Sequence, residues 1–206
     1  MNLKLILVSW WTPRFVLLRE LDRVAELTTG ALDDLLAEHA TSARLFSMQK
    51  RPFGKRLEDR RASMAEVHNQ RVSALIDTLG AEKAVMVGRE SMFNVGVQLG
   101  QEARRRLGVG TGMKDLVRAA RIMYKVLGIE FKIEWNTLGG ASMRVSRCSL
   151  ADSYSPEACM ILSAADEGVV RGLNPGVSMR FAERITSGSP VCVACIDRVI
   201  AEEERR

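Results

Sequence analysis

The chain has 206 residues, of which 47% are hydrophobic and 27% are charged, with a formal net charge of +5 and a pI near 9.3. This composition is typical of a globular protein with one substantial core. The basic side chains stand in short clusters with carboxylates nearby and without interleaved aromatic base-readers. They therefore indicate solvated helix faces and argue against a nucleic-acid-binding surface.

Cysteine content and the N-terminal segment bear on the compartment. Four cysteines in 206 residues are far too few for a disulfide scaffold. The apolar run Leu5-Ile6-Leu7-Val8 is too short to span a bilayer, and neither a basic leader nor a cleavage site accompanies it. We therefore expect a cytoplasmic protein with reduced thiols and no membrane association.

The first half of the chain has the periodicity of helices. A first helix is predicted from Phe15 to Ala40, with Thr28-Thr29-Gly30 as a candidate break; whether this arm packs on the body or mediates association stays open. After a loop over 48–54, three further helices are predicted over Leu57–Leu79, Ala81–Leu107 and Met113–Leu127. The two histidines, His39 and His68, fall on predicted helices, and we expect both at the surface.

The helix predicted over Ala81–Leu107 carries Gly88, Gly96 and Gly100 on nearly one stripe. A glycine costs about 1 kcal/mol in a helix interior, so this stripe indicates close packing of the backbone against another element. The following Gly108–Gly112 turn has a GxGxG pattern. It joins two helices, however, whereas the dinucleotide fingerprint joins a strand to a helix, so phosphate binding is not predicted.

From Ile129 onward the periodicity changes to two. The predicted elements are strands over Ile129–Trp135 and Ser142–Cys148, a helix from Ser155-Pro156-Glu157 to about Gly168, and strands over Val177–Ile185 and Val191–Val199. Helices followed by β-β-α-β-β imply an α+β domain, in which N-terminal helices pack on one face of a four-stranded antiparallel sheet. We divide the chain into a helical arm over 1–55 and an α+β domain over 56–206, with a frayed tail from Glu202 to Arg206.

All four cysteines lie in the C-terminal region: Cys148, Cys159, Cys192 and Cys195. The first three fall at element ends that can meet at one edge of the sheet. Because Cys159 lies in the first turn of a predicted helix, we expect a lowered thiol pKa and a better nucleophile or ligand. Cys192 and Cys195 form a CxxC, yet residues three apart in a strand face opposite sides, so either the strand starts later or Cys195 is an ordinary buried residue. Four buried apolar thiols are the alternative to a metal or catalytic site.

Several short signals stand in a recognisable order over residues 79–196. They are the helix around Phe93-Asn-Val-Gly96, the hairpin Ile129–Cys148, Cys159 followed by Gly168-Val-Val-Arg-Gly172, and Gly188-Ser-Pro-Val-Cys192 at the final strand. This order resembles the 4-vinyl reductase-type superfamily, and within it the 2-aminothiazoline-4-carboxylate hydrolase-like and methanogen output domain branch. The resemblance implies an α+β ligand-binding fold.

For aromatic-sensing regulators of the 4-vinyl reductase type, the resemblance implies a zinc ion held by a glutamate and three cysteines beside a small-molecule pocket. Two of those cysteines match Cys159 and Cys192, whereas Phe181 and Arg184 stand at the positions of the glutamate and the middle cysteine. Cys148 and Cys195 are the predicted substitutes for the two missing ligands. The predicted site for zinc or an iron–sulfur cluster therefore consists of Cys148, Cys159, Cys192 and Cys195.

The hydrolase-like branch fits the segment Phe181-Ala-Glu-Arg184 better. It implies opening of a small sulfur–nitrogen heterocycle or a related acid, in which Cys159 as thiolate, or a metal-bound water, attacks an amidine-like carbon. Arg180 and Arg184, on one face of the predicted strand, would pair with the substrate carboxylate, and Trp135 is a further predicted ligand-binding residue. A solvated strand face is the alternative for the two arginines.

The function we expect is small-molecule binding by a cytoplasmic domain with a cysteine-ligated metal. Two alternatives stay open: a hydrolase of a small heterocyclic or amide-like acid, and a protein-assembly module that dimerises through the helical arm. The expected partners are a small-molecule ligand and a second copy in a homodimer, without nucleic acid or membrane.

Overall fold

The computed structural model describes residue 5 and residues 12–39, 54, 56–136 and 140–199, and these have the predicted α+β architecture. The helices are α1 (Arg14–His39), α2 (Leu57–Leu79), α3 (Ala81–Leu107), α4 (Met113–Leu127) and α5 (Pro156–Leu173), and the strands are β1 (Ile129–Trp135), β2 (Ala141–Cys148), β3 (Val177–Glu183) and β4 (Cys192–Arg198). Apart from Leu5 and Gly54, the apolar run near the N-terminus, the predicted loop over 48–54 and the tail from Glu202 lie outside the described residues.

Helix α1 is continuous, so the candidate break at Thr28-Thr29-Gly30 is wrong. The Thr28 hydroxyl donates to the Val24 carbonyl one turn earlier at 2.7 Å. Leu21 and Leu32 on the same face are buried against α2 and α3, and burial of one face is what stabilises most protein helices. The described part of the arm thus packs on the body of its own chain. A homodimer through the arm has no support from the described residues, and the arm–domain division stays a prediction.

The strands form one antiparallel sheet in the order β1-β2-β4-β3. Successive side chains alternate between its two faces. The inner face is buried against α4 and α5, and its buried side chains are Ala141, Met143, Val145, Val177, Met179, Cys192, Ala194 and Ile196. The outer face carries polar and charged side chains, including a cross-strand pair of Glu134 and Arg144 at 3.8 Å. The sheet therefore offers only one face to an internal site.

Helix α5 begins as predicted, with Ser155 as N-cap accepting a hydrogen bond from the Ala158 N–H at 3.1 Å. It continues past Gly168 to Leu173, so the predicted end near Gly168 is wrong. Gly168 and Gly172 instead face α3, where a Cβ on Gly172 would come within 2.9 Å of the Gly100 Cα. The predicted close packing of the α3 glycine stripe is therefore confirmed, and its partner is α5.

Helix α5 lies between α3 and the sheet, with its glycines toward α3 and its opposite face toward the sheet. This second face borders the site below. None of the described helices combines the length and the apolarity needed to cross a bilayer.

Candidate ligand-binding site

A cavity of about 140 Å³ lies between the inner face of the sheet and the helices. Its walls are mainly apolar, with α4 contributing Leu116, Val117, Ala120 and Met123 and β1 contributing Ile129, Phe131 and Ile133. An apolar cavity of about 150 Å³ holds a benzene molecule in a well-studied engineered protein. The space therefore suits a molecule with a single ring.

Helix α5 supplies a polar stripe to this cavity. Cys159, Ser163 and Asp166 all line it, because residues spaced by three, four and seven positions share one face of a helix. Cys159 and Asp166 are separated by two turns, which is about 10 Å along the axis. A ring can therefore lie between them, but a proton cannot pass directly from one to the other.

Asp166 is the acid in this apolar space. Burial raises the pKa of its carboxyl to about 7, the charge of the neighbouring Glu167 adds to the rise, and the Tyr124 hydroxyl opposes it. Glu167 has cationic partners, with Arg89 at 2.8 Å and Arg184 at 4.0 Å. Of two consecutive carboxylates, only one is thus compensated by arginine, and Asp166 is left to titrate near neutral pH.

His68 is buried, so its predicted surface position is wrong. Its Nδ1 lies 2.7 Å from the Tyr154 hydroxyl and its Nε2 lies 2.9 Å from the Thr28 hydroxyl. Burial, with a further contribution from Arg71, lowers the pKa of His68 to about 3, so the imidazole is neutral. The sequence signal was its spacing, since His68 stands four residues from both Met64 and Val72 on the buried stripe of α2.

The four thiols occupy different places. Cys148 and Cys159 line the cavity, whereas Cys192 is buried on the inner face of the sheet, where its Sγ accepts a hydrogen bond from the Ile185 N–H at 3.3 Å. Cys195 is within β4 and exposed on the outer face. Both alternatives considered for Cys195, a later strand start and burial, are therefore wrong.

The donor set does not fit the four-cysteine metal site. Within the described residues, no group of three or more histidine, cysteine or acidic side chains is arranged to hold a metal ion. The strand period is one reason, because it directs Cys192 and Cys195 to opposite sides of the sheet. The described residues give the zinc or iron–sulfur prediction no support.

The expected activation of Cys159 is also reversed. Burial raises the pKa of the Cys159 thiol and outweighs the lowering effects of Thr186 and Arg184. Burial raises the pKa of Cys148 to about 11, despite the backbone N–H groups of Leu150 and Ala151. Both cavity thiols are therefore protonated at neutral pH and are weak nucleophiles.

This difference among the thiols is open to a direct test. In the folded protein at pH 8, we expect iodoacetamide to modify Cys195 first, because Cys195 alone among the four thiols is exposed. A Cys195→Ser variant should lose the fast phase, and mass spectrometry of tryptic peptides would identify each modified thiol. Fast modification of Cys159 in the folded protein would contradict its burial and its raised pKa.

The predicted ligand-binding arginines do not share a face. Arg180 is exposed on the outer face of the sheet, where its cross-strand partner is Cys195. A register shift between Phe181 and Glu183 interrupts β3, and such a bulge redirects the side chains that follow. Arg184 turns inward, with its Nε 3.2 Å from the Ser163 hydroxyl and its guanidinium 5.4 Å from the centre of the Phe181 ring.

Trp135 lies at the end of β1 and lines the cavity, although 55% of its surface is exposed. Of the predicted site residues, the cavity therefore brings together Cys148, Cys159 and Trp135. It does not include Arg180, Arg184, Cys192 or Cys195. The structure adds Asp166, Tyr124 and Tyr154. Of these, Asp166 alone had a sequence signal, as an acid on the mainly apolar helix α5.

Residues 60–196, which run from α2 to β4, match the family model of L-2-amino-thiazoline-4-carboxylic acid hydrolase. The chain belongs to this family. The hydrolase family is part of the 4-vinyl reductase-like superfamily, so the resemblance drawn from the sequence is confirmed. A comparison with curated proteins found no match. Family membership and the cavity together fit a domain that binds a small ligand.

Three solved structures that match this family member have low sequence identity to it. Subunit 3 of a trafficking protein particle complex from Naegleria fowleri, covalently bound to palmitic acid, has 15% identity and a TM-score of 0.54 over 68% of this chain and 95% of that one. The phenol-responsive sensory domain of the transcription activator PoxR, with phenol, has 16% identity and a TM-score of 0.48 over 82% and 89%. An H-NOX protein from S. oneidensis has 14% identity and a TM-score of 0.43 over 90% and 97%.

Proposed function

We propose that the cavity binds a mainly apolar molecule with one ring and no net negative charge. The observation that carries this proposal is Asp166, a carboxyl in a mainly apolar cavity of about 140 Å³, for which the described residues supply no cationic partner. Few polar groups in an apolar pocket are the usual arrangement for binding small molecules, where the polar groups fix the orientation of the ligand.

The charge of the walls disfavours an anionic ligand. Among the described lining residues there is no lysine or arginine, and His68 is neutral. A ligand carboxylate would meet the acid Asp166 in a space with few polar groups, at a considerable electrostatic cost. Arg184, the predicted partner of a substrate carboxylate, is engaged with Ser163 and the Phe181 ring and does not line the cavity.

A hydrolase is the second candidate, and the family match over residues 60–196 favours it. A carboxyl with a pKa of about 7 suits a general base at neutral pH. In such a reaction, a water oxygen would attack an amidine-like carbon of the substrate while its proton passed to the Asp166 carboxylate and the C=N electron pair moved to nitrogen. The Asp166 carboxyl would then return the proton to the leaving nitrogen as the C–N bond breaks. Cys159 is less suited as the nucleophile, because its thiol pKa is raised.

Two matched probes test the proposal: toluene is neutral and benzoate is anionic. We expect toluene to bind the wild-type protein at pH 8, as followed by ligand-observed NMR, and benzoate not to bind. Ala120→Leu adds three carbon atoms to the cavity wall and should weaken toluene binding at least tenfold. The control is Ala62→Leu, which makes the same change at an exposed position of α2 outside the cavity.

Equal toluene affinity in the Ala120→Leu and Ala62→Leu variants would place the binding outside the cavity and overturn the proposal. Benzoate binding that is lost in Ala120→Leu would also contradict it. That second result would favour the hydrolase, whose substrate in this family carries a carboxylate by name.

A further inference from the structure

A chain of three polar side chains runs from α1 through α2 to the segment before α5. The Thr28 Oγ1 lies 2.7 Å from the Val24 carbonyl oxygen and 2.9 Å from the His68 Nε2. The His68 Nδ1 lies 2.7 Å from the Tyr154 hydroxyl. All three side chains also line the cavity. This series of hydrogen bonds therefore connects the Val24 backbone carbonyl to the site.

The direction of each hydrogen bond in this series follows from the Val24 carbonyl oxygen at one end. A carbonyl oxygen only accepts, so the single Thr28 hydroxyl proton is donated to Val24. Thr28 Oγ1 must then accept the bond from His68, which places the imidazole proton on Nε2. A neutral imidazole has one N–H, so Nδ1 is the bare acceptor. The Tyr154 hydroxyl accordingly donates its proton to His68.

Tyr154 is left with oxygen lone pairs and no free proton. Its ring stacks on the His68 ring, with centroids 6.0 Å apart and an interplanar angle of 20°, and its backbone N–H donates to the Leu150 carbonyl at 2.9 Å. These contacts hold the phenol in place. Rotation of the hydroxyl toward a ligand would break the bond to His68 and leave a buried nitrogen unpaired, which is costly.

We propose that Tyr154 determines the specificity of the cavity by accepting a hydrogen bond from an N–H or O–H group of a single-ring ligand. The proposal rests on the proposed function, because it names the class of ligand for the same cavity. Thr28 and His68 also line the cavity, but their polar atoms are engaged with Val24, with each other and with Tyr154, so they are positioning residues for the Tyr154 hydroxyl. A ring that carries only an acceptor group gains nothing from this oxygen.

Aniline and toluene have the same shape and differ in whether they carry N–H donors, so they serve as probes. We expect the wild-type protein to bind aniline more tightly than toluene by calorimetry at pH 8, where aniline is neutral. Tyr154→Phe keeps the ring and should reduce the ratio of aniline affinity to toluene affinity about fivefold to tenfold, the usual effect of one hydrogen bond. An unchanged preference in Tyr154→Phe would overturn the inference.

A second variant tests the donor-to-acceptor direction of these hydrogen bonds. Thr28→Val is nearly isosteric and removes the acceptor at Nε2, so the proton should move to Nδ1 and free the Tyr154 hydroxyl to donate. Aniline preference should then fall, and binding of pyridine, a ring with only an acceptor, should rise. ¹⁵N NMR of the His68 ring reports the tautomer directly, and a wild-type proton on Nδ1 would overturn the inference.

The proposed function and the role of Tyr154 can fail separately. If neither aniline nor toluene binds the wild-type protein, the proposed function is overturned, and the ligand class falls with it. If both bind in the cavity but the preference for aniline over toluene is the same in the Tyr154→Phe and Thr28→Val variants as in the wild-type protein, the cavity still binds small rings. Only the role of Tyr154 is then wrong. Circular dichroism melting of each variant identifies a loss of folding.

Discussion

Gly168→Ala should destabilise the protein by about 2–4 kcal/mol. An added Cβ would overlap the Phe93 carbonyl oxygen and lie 2.9 Å from the Val97 backbone nitrogen. Backbone atoms cannot move aside as a flexible side chain can, so α3 and α5 must separate, and this cost exceeds the roughly 1 kcal/mol that alanine gains over glycine in a helix. For a chain of this size we expect the melting temperature to fall by roughly 5–15 °C.

Gly30→Ala is the matched control. Gly30 is also within a helix, but among the described residues its added Cβ would meet nothing within 4 Å apart from its chain neighbours and the backbone of its own helix. The helix propensity of alanine should then raise the free energy of unfolding by about 0.5–1 kcal/mol. Thermal and urea unfolding would measure the melting temperature and the free energy of unfolding of both variants. Similar effects from the two substitutions would refute close helix contact at Gly168.

Asp166→Asn should stabilise the protein above neutral pH by about 2–4 kcal/mol. The folded-state pKa of about 7 lies above the ordinary value of 3.8, so between these values the folded state binds a proton that the unfolded state has released. Stability contributed by this group therefore falls as pH rises from about 3.8 to about 7 and stays low above that range. Because asparagine is never ionised, the variant does not lose this stability as the pH rises.

Urea unfolding of the wild type and the variant at pH 4, 6 and 8 would measure the effect. The stability difference should be near zero at pH 4 and largest at pH 8. His68 has the opposite dependence, because its pKa of about 3 lies below the ordinary 6.5, but it is present in both proteins and largely cancels in the difference. A difference independent of pH would contradict the burial of the Asp166 charge.

Local signals were sufficient for the bounds of three of the described helices. The predicted bounds of α2, α3 and α4 agree with the structure, because glycines at 80, 108 and 128 end these helices with positive φ. The same residue type misled the prediction at Gly168, where glycine serves close packing within the helix. Sequence alone does not distinguish the two uses, since the difference depends on what lies opposite.

The site was less predictable, because its properties depend on tertiary burial. Cys159 is in the first turn of a helix, as predicted, yet burial reverses the expected direction of its pKa. Asp166 and His68 are polar residues on buried stripes, whereas aspartate is usually exposed and histidine is only intermediate in burial. Arg184 departs from the predicted face because of one bulge in β3, which periodicity alone does not reveal.

The backbone contact between α3 and α5 has a consequence for how this cavity can change over evolution. The separation of the two helices is set by glycine and carbonyl atoms, so the distance of Asp166 from α3 does not depend on the side chains that shape the cavity wall. Wall positions such as Ala120 can therefore change in size and admit rings of other shapes without displacing the acid. Related proteins can diverge in ligand range by single substitutions while they keep the same titrating group.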